Sequence, residues 1–208
     1  MENCAKAAAV HFKYHLKYHL LAAVLFFCLM PFLMGTQYLN ARESARTLEM
    51  YAALSGILFL TPVFLPDQDK NIRDLIGSKR MPYLVIHLIR LAENLLFLLV
   101  FVGAGALFLK CNGCEFPFWS YFAGTAAGAL FLGGLGMFFY SVTDNAAVGY
   151  MVPLVYYMIN FSGDKYVKNF YLFSMAAGDF GPKFWLAGAG AALLLGGLLW
   201  RRIFRFKP

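Results

Sequence analysis

The chain has 208 residues, of which 61% are hydrophobic, 18% aromatic and 14% charged, and its formal net charge is +7. A soluble domain holds roughly 45–50% apolar and about 25% charged residues, so this composition excludes an ordinary soluble domain and fits one polytopic membrane unit. The basic residues sit at the ends of apolar runs and in their connections, which ties the positive charge to membrane orientation and away from nucleic acid.

In chain order, residues 1–19 come first. "AKAAAVHFKYHLKYH" (5–19) sets lysines, tyrosines and histidines among Ala, Val, Phe and Leu, which predicts an amphipathic elbow helix in the membrane interface. His11, His15 and His19 are four apart and share a face loosely; an interfacial polar face is preferred over a metal site, and no metal site is predicted anywhere in the chain. The apolar "LLAAVLFFCLMPFLMG" that follows has no small-residue cleavage signal, so it is read as an uncleaved first span.

Six spans are predicted, at about 20–38, 49–65, 83–109, 116–142, 145–161 and 184–203, giving an all-α transmembrane domain over residues 20–208. With the N-terminus inside, eleven Lys and Arg residues fall in inner segments and six in outer loops, which predicts that both termini are cytoplasmic. The second and fifth spans, at about 17 residues each, reach roughly 25 Å and fall short of an approximately 30 Å hydrocarbon core. Pro31, Pro62 and Pro153 each lie within a span and are expected to kink or break it. Cys111 and Cys114 in "CNGC" leave two readings open, a small-loop disulfide or two thiols.

Between the second and third spans lies the charged "LPDQDKNIRDLIGSKRMP" (65–82). Pro66 stops the span, Asp67 caps a new helix, and Gly77 ends it, predicting a short cytoplasmic helix at about 66–78. Asp69 with Arg73 and Lys70 with Asp74 are i,i+4 pairs, and Ile72, Leu75 and Ile76 form a small apolar face. Such an element either docks on a soluble partner or rests on the lipid surface.

The third span carries His87, Arg90, Glu93 and Asn94. His87, Arg90 and Asn94 share a stripe, and Glu93 stands three residues from Arg90 as its expected partner. Ionisable groups at this depth are expensive. A structural ion pair is the preferred reading, ahead of a transport path and of catalysis. Glu49, at the outer end of the second span, is grouped with them as a transport-path or ion-pair residue, an outward-facing cap being preferred over a substrate contact. Gly124, Gly128, Gly133 and Gly136 line the fourth span, and Gly188, Gly190, Gly196 and Gly197 the last, as close helix contacts within the chain or with a second copy. The outer connection "SGDKYVKNFYLFSMAAGDFGPK" is aromatic enough to dip back into the membrane, provided its backbone packs on protein. Catalytic signatures of the G-x-S-x-G, H-E-x-x-H and phosphate-loop types do not occur, so no catalytic residue and no cofactor is assigned, and any ATP is bound by another chain.

The basic N-terminal stretch, the six spans, "GILFLTPVFLPDQDKNIRDLIGSKRMP" and "ALFLGGLGMFFYSVTDNAAVGYMVPLVYYMINF" together resemble the permease subunits of type II ABC exporters. The resemblance covers most of the chain and is most specific from Thr61 to Lys79. It implies an N-terminal elbow, a coupling helix in which Asp69, Asn71, Ile72, Arg73, Asp74, Leu75 and Ile76 contact a separate ATPase subunit, and a re-entrant hairpin over about 165–180. It further implies a second permease subunit, the same chain or a homologous one, in a bacterial plasma membrane, with ATP and Mg held by the partner ATPase. Two alternatives stand beside it: an intramembrane enzyme using His87 and Glu93, and a non-catalytic scaffold or immunity-type protein.

Overall fold

The computed structural model describes residues 11–68, 83–163 and 167–204, and every regular element among them is helical. One π-helical turn, Phe12–Leu16, leads directly into α1, Lys17–Met34. Next come α2 (Ala41–Met50) and α3 (Ser55–Leu60), which 3₁₀ turns at Ala52–Leu54 and Thr61–Gln68 join and extend into one rod. The remaining helices are α4 (Tyr83–Cys111), α5 (Phe118–Thr143), α6 (Ala146–Asn160) and α7 (Gly181–Phe204).

Five rods are long and apolar enough to cross a membrane: Phe12–Met34, Ala41–Gln68, Tyr83–Cys111, Phe118–Thr143 and Gly181–Phe204. This make-up fits a multi-pass membrane protein. The boundary expected at residue 19 is not a break in the described chain, because Leu16 and Lys17 both keep right-handed helical backbone. The fifth expected span, 145–161, is α6, whose 15 residues reach only about 22 Å.

With α6 counted between α5 and α7, successive helical segments alternate in direction, so the bundle has two ends. At the near end lie Asp67, Arg90, Asp144 and Arg201, joined by ion pairs, and His11, which pairs with Glu93. At the far end the chain after α1 pairs with the chain after α4, through Tyr38 N–H to Asn112 C=O and Glu115 N–H to Leu39 C=O. Cys114 is buried there and its Sγ lies 3.4 Å from the Thr36 carbonyl oxygen, while Cys111 is exposed; both are free thiols, which removes the disulfide reading.

Proline breaks only the second rod. Pro62 and Pro66 withhold the N–H groups an α-helix needs, and Thr61–Gln68 winds as 3₁₀, whereas α1 and α6 remain α-helical through Pro31 and Pro153. That rod and α5 form the buried pair, with the other helices around them.

Glycine lets backbones meet at this pair. A Cβ on Gly56 would stand 1.9 Å from the Ala129 carbonyl oxygen, and one on Gly133 would stand 2.5 Å from that of Gly56. Gly136 faces Thr61 and Gly149, and Gly128 faces Ala53 and Leu172. These contacts answer the question left by the sequence: the small faces of α5 are used within one chain. α7 lies parallel to α5 in one register, with Lys183 beside Gly124, Gly190 beside Leu130 and Phe131, and Gly197 beside Phe138.

The connection from α6 to α7 returns into the bundle. Along α5, Phe180 packs on Tyr121, Met175 on Gly124, Leu172 on Gly128 and Phe170 on Phe131. This ladder descends about ten residues of helix, or about 15 Å. The described part, 167–180, holds two single 3₁₀ turns, Lys168–Phe170 and Met175–Ala177, and is not a helical hairpin. Its polar backbone is met by side chains from two helices: from α6, Asn160 accepts from Leu172 N–H at 2.9 Å and Tyr156 donates to the Phe170 carbonyl at 2.7 Å, and from α2, Glu49 accepts from Met175 N–H at 2.7 Å. That is the condition under which irregular backbone is tolerated at membrane depth.

Gly56→Ala is expected to lower stability by about 1–3 kcal/mol or more, through overpacking against rigid backbone. Gly188 has no atom within 4 Å of its Cβ position, so Gly188→Ala should be neutral or stabilise α7 by up to about 1 kcal/mol. Thermal unfolding of the two variants in the same detergent measures the contrast.

Candidate functional site

The residues that the sequence assigns to ATPase contact, Asp69, Asn71, Ile72, Arg73, Asp74, Leu75 and Ile76, lie outside the described residues. The described residues on either side of that segment end at Gln68 and resume at Tyr83. Asp67, at the end of the second rod, has a side chain only 1% exposed. Its Oδ1 accepts from Arg90 Nη1 at 2.7 Å, and its Oδ2 lies 2.6 Å from His87 Nε2. Arg201 Nε approaches the same Oδ2 at 3.6 Å, and Arg201 Nη1 donates to Asp144 Oδ1 at 3.1 Å.

Local structure explains how these groups converge. His87 and Arg90 are one turn apart at the start of α4, so their side chains project from one face. Asp144 takes left-handed backbone, φ 54°, as the C-cap of α5, and Asn145 caps α6 by accepting from Ala147 N–H at 2.9 Å. This two-residue corner turns the Asp144 carboxylate toward α7. Arg201 completes the cluster with its guanidinium 4.5 Å from the Phe64 ring centroid, and His87 meets the same ring edge-on at 5.1 Å. Tyr140 meets Phe64 edge-on at 6.3 Å.

The cluster therefore balances two carboxylates against two guanidiniums, with one imidazole, around a fully buried aromatic ring. It links the second rod, α4, the α5–α6 corner and α7. Four buried polar atoms nearby or within the same helices have no hydrogen-bond partner: Thr61 Oγ1, Asn94 Oδ1, Tyr140 Oη and Arg201 Nε.

One sequence expectation is corrected here and another falls outside the described residues. Asp67 is expected to cap a helix at about 66–78; His87 and Arg90 hold its two oxygens, and the residues a cap would engage lie outside the described ones. Arg90 reaches Asp67 instead of Glu93, and Glu93 takes His11 Nδ1 at 2.7 Å, since the N-terminal helix packs against that side of α4. His15 stacks on His11 at 6.1 Å. Asn94 is buried beside them without a partner for its Oδ1. Among the described residues, no three His, Cys, Asp or Glu side chains group as a metal site.

Glu49 is also corrected. It is buried, not outward-facing: Lys183 Nζ lies 2.6 Å from its Oε1, and the N–H groups of Met175 and Ala176 donate to its two oxygens at 2.7 and 3.2 Å. The burial follows from the return segment, which covers the far end of the second rod. Lys183 itself donates to the Leu172 carbonyl oxygen, so this ion pair pins the return segment.

Sequence reasoning missed Asp144, Arg201 and Lys183 as partners. The available signal was that each is a charge at the end of an apolar run. Comparison with protein-family models, with characterised proteins and with solved structures returns no match.

Asp67→Asn should destabilise the protein by about 3–5 kcal/mol, because it leaves two buried guanidiniums short of negative charge. Asp144→Asn should have a smaller effect, its side chain being 30% exposed. Denaturant titration in detergent, with a double-mutant cycle on Asp67 and Arg201, measures both the loss and the coupling.

Proposed function

We propose that this chain is the membrane-spanning subunit of an ATP-driven transporter, of the type II ABC exporter kind, and that it works with a separate ATPase. The observation that carries this reading is the buried ionic cluster. Asp67 stands just before residues 69–82, the stretch that bears the resemblance to a coupling helix, and His87 and Arg90 stand just after it in sequence; both bind the Asp67 carboxylate. Arg201 adds the last helix to the same knot. A push on the segment is thereby delivered to three rods at once and not absorbed in a loose loop.

In this reading the near end is cytoplasmic, in keeping with the excess of Lys and Arg there. ATP closes a dimer of ATPase subunits, the segment 69–82 moves with it, and the rods of two membrane subunits shift as rigid bodies to open a path between them. No side chain in the cluster breaks a bond. The enzyme alternative gains nothing from the geometry, since His87 is held by Asp67 and Glu93 by His11, apart from one another.

The test is a double substitution, Ile72→Asp with Arg73→Glu, in the chain expressed in its own membrane. Co-purification of an ATPase subunit should be lost while the thermal unfolding midpoint stays within a few degrees of the parent. An ATPase that still co-purifies and is still stimulated by the variant would sink the docking assignment.

A further inference from the structure

Between the return segment and the first turns of α7 lies a cleft of about 630 Å³, whose wall includes Lys168, Asn169, Tyr171, Ser174, Asp179 and Trp185. Lys168 stands at its deep end. Its neighbour Phe170 packs on Phe131, about 13 residues, or roughly 20 Å, along α5 from the far end. The Lys168 side chain is exposed and forms no ion pair among the described residues. An ammonium at such depth is unfavourable unless water or an anion reaches it. Its backbone is left-handed, φ 45°, a conformation that residues other than glycine take rarely, so the fold holds this lysine in place against local preference.

A second polar group points to a ligand. Ser174 is 3% exposed, lies on the cleft wall, and its hydroxyl has no hydrogen-bond partner. Nearer the far end stands Asp179, one of whose oxygens accepts from Gly181 N–H at 2.8 Å. Trp185 is 60% exposed beside it, and Phe184 continues an apolar flank on α7. Cation, hydroxyl, anion and aromatic face thus follow one another from the inside outward.

We propose that this cleft seats the headgroup of a zwitterionic phospholipid of the far leaflet. The phosphate lies against Lys168 and Ser174, and the ammonium reaches Asp179 with Trp185 at its side, an arrangement favoured by charge-assisted hydrogen bonding and by the ring face. The acyl chains run down the exposed flank of α7. The site requires only this chain and stands or falls separately from any ATPase.

The experiment uses the full chain, delipidated in detergent and titrated with short-chain phosphatidylethanolamine, phosphatidylglycerol and inorganic phosphate, with bound lipid read by native mass spectrometry. Phosphatidylethanolamine should bind best. Lys168→Gln should weaken both lipids about tenfold or more, and Lys168→Arg should retain them. Asp179→Asn should remove the preference for phosphatidylethanolamine and leave phosphatidylglycerol unchanged. Thermal unfolding midpoints close to the parent's confirm that each variant is folded. Equal lipid binding by the parent and Lys168→Gln would overturn the proposal, as would displacement by millimolar inorganic phosphate with no preference between lipids.

Discussion

One carboxylate organises the near end of this bundle. A charged Asp67 buried in an apolar protein is unfavourable by several kcal/mol unless cations and hydrogen bonds replace its water. Arg90 and His87 from α4 and Arg201 from α7 supply them. In a bilayer, where lipid tails are as apolar as leucine, apolar contact alone gives little reason for helices to choose one partner. Direction and register are fixed by the polar groups, and the small residues of α5 then allow the backbones to close.

The far end repeats the device with a different purpose. Glu49 and Lys183 form a buried pair whose remaining hydrogen-bonding capacity goes to backbone groups of the return segment. The near cluster binds helix to helix, whereas the far pair binds irregular chain to helices. Both meet the same constraint, that polar groups away from water must find partners in the protein.

Much of the helical layout was legible in the sequence. Long apolar runs mark membrane rods directly, and the rods from 83, 118 and 181 begin within three residues of expectation. The glycines of α5 were legible as close contacts because only a missing Cβ allows backbones so near. Pairing was not legible. The i,i+3 rule suggested Arg90 with Glu93, yet a guanidinium reaches across a helix gap as easily as along a turn, and Asp67 on the neighbouring rod gave it a more buried partner. Glu49 was misjudged for a related reason: its burial depends on a segment more than 120 residues later, which no local pattern encodes. The irregular winding after Pro62 was half visible, since two prolines four apart forbid α-helix but do not say what replaces it.

The return segment also constrains the order in which the protein can assemble. Its backbone partners are Glu49 from the second rod, Tyr156 and Asn160 from α6, and Lys183 from the last helix. During synthesis the first three exist before the segment does, but Lys183 emerges after it. Residues 167–180 therefore cannot reach their final place by leaving the ribosome in sequence. The ion pair that pins them is completed only when α7 has brought its lysine to Glu49, so the last helix made also closes the bundle.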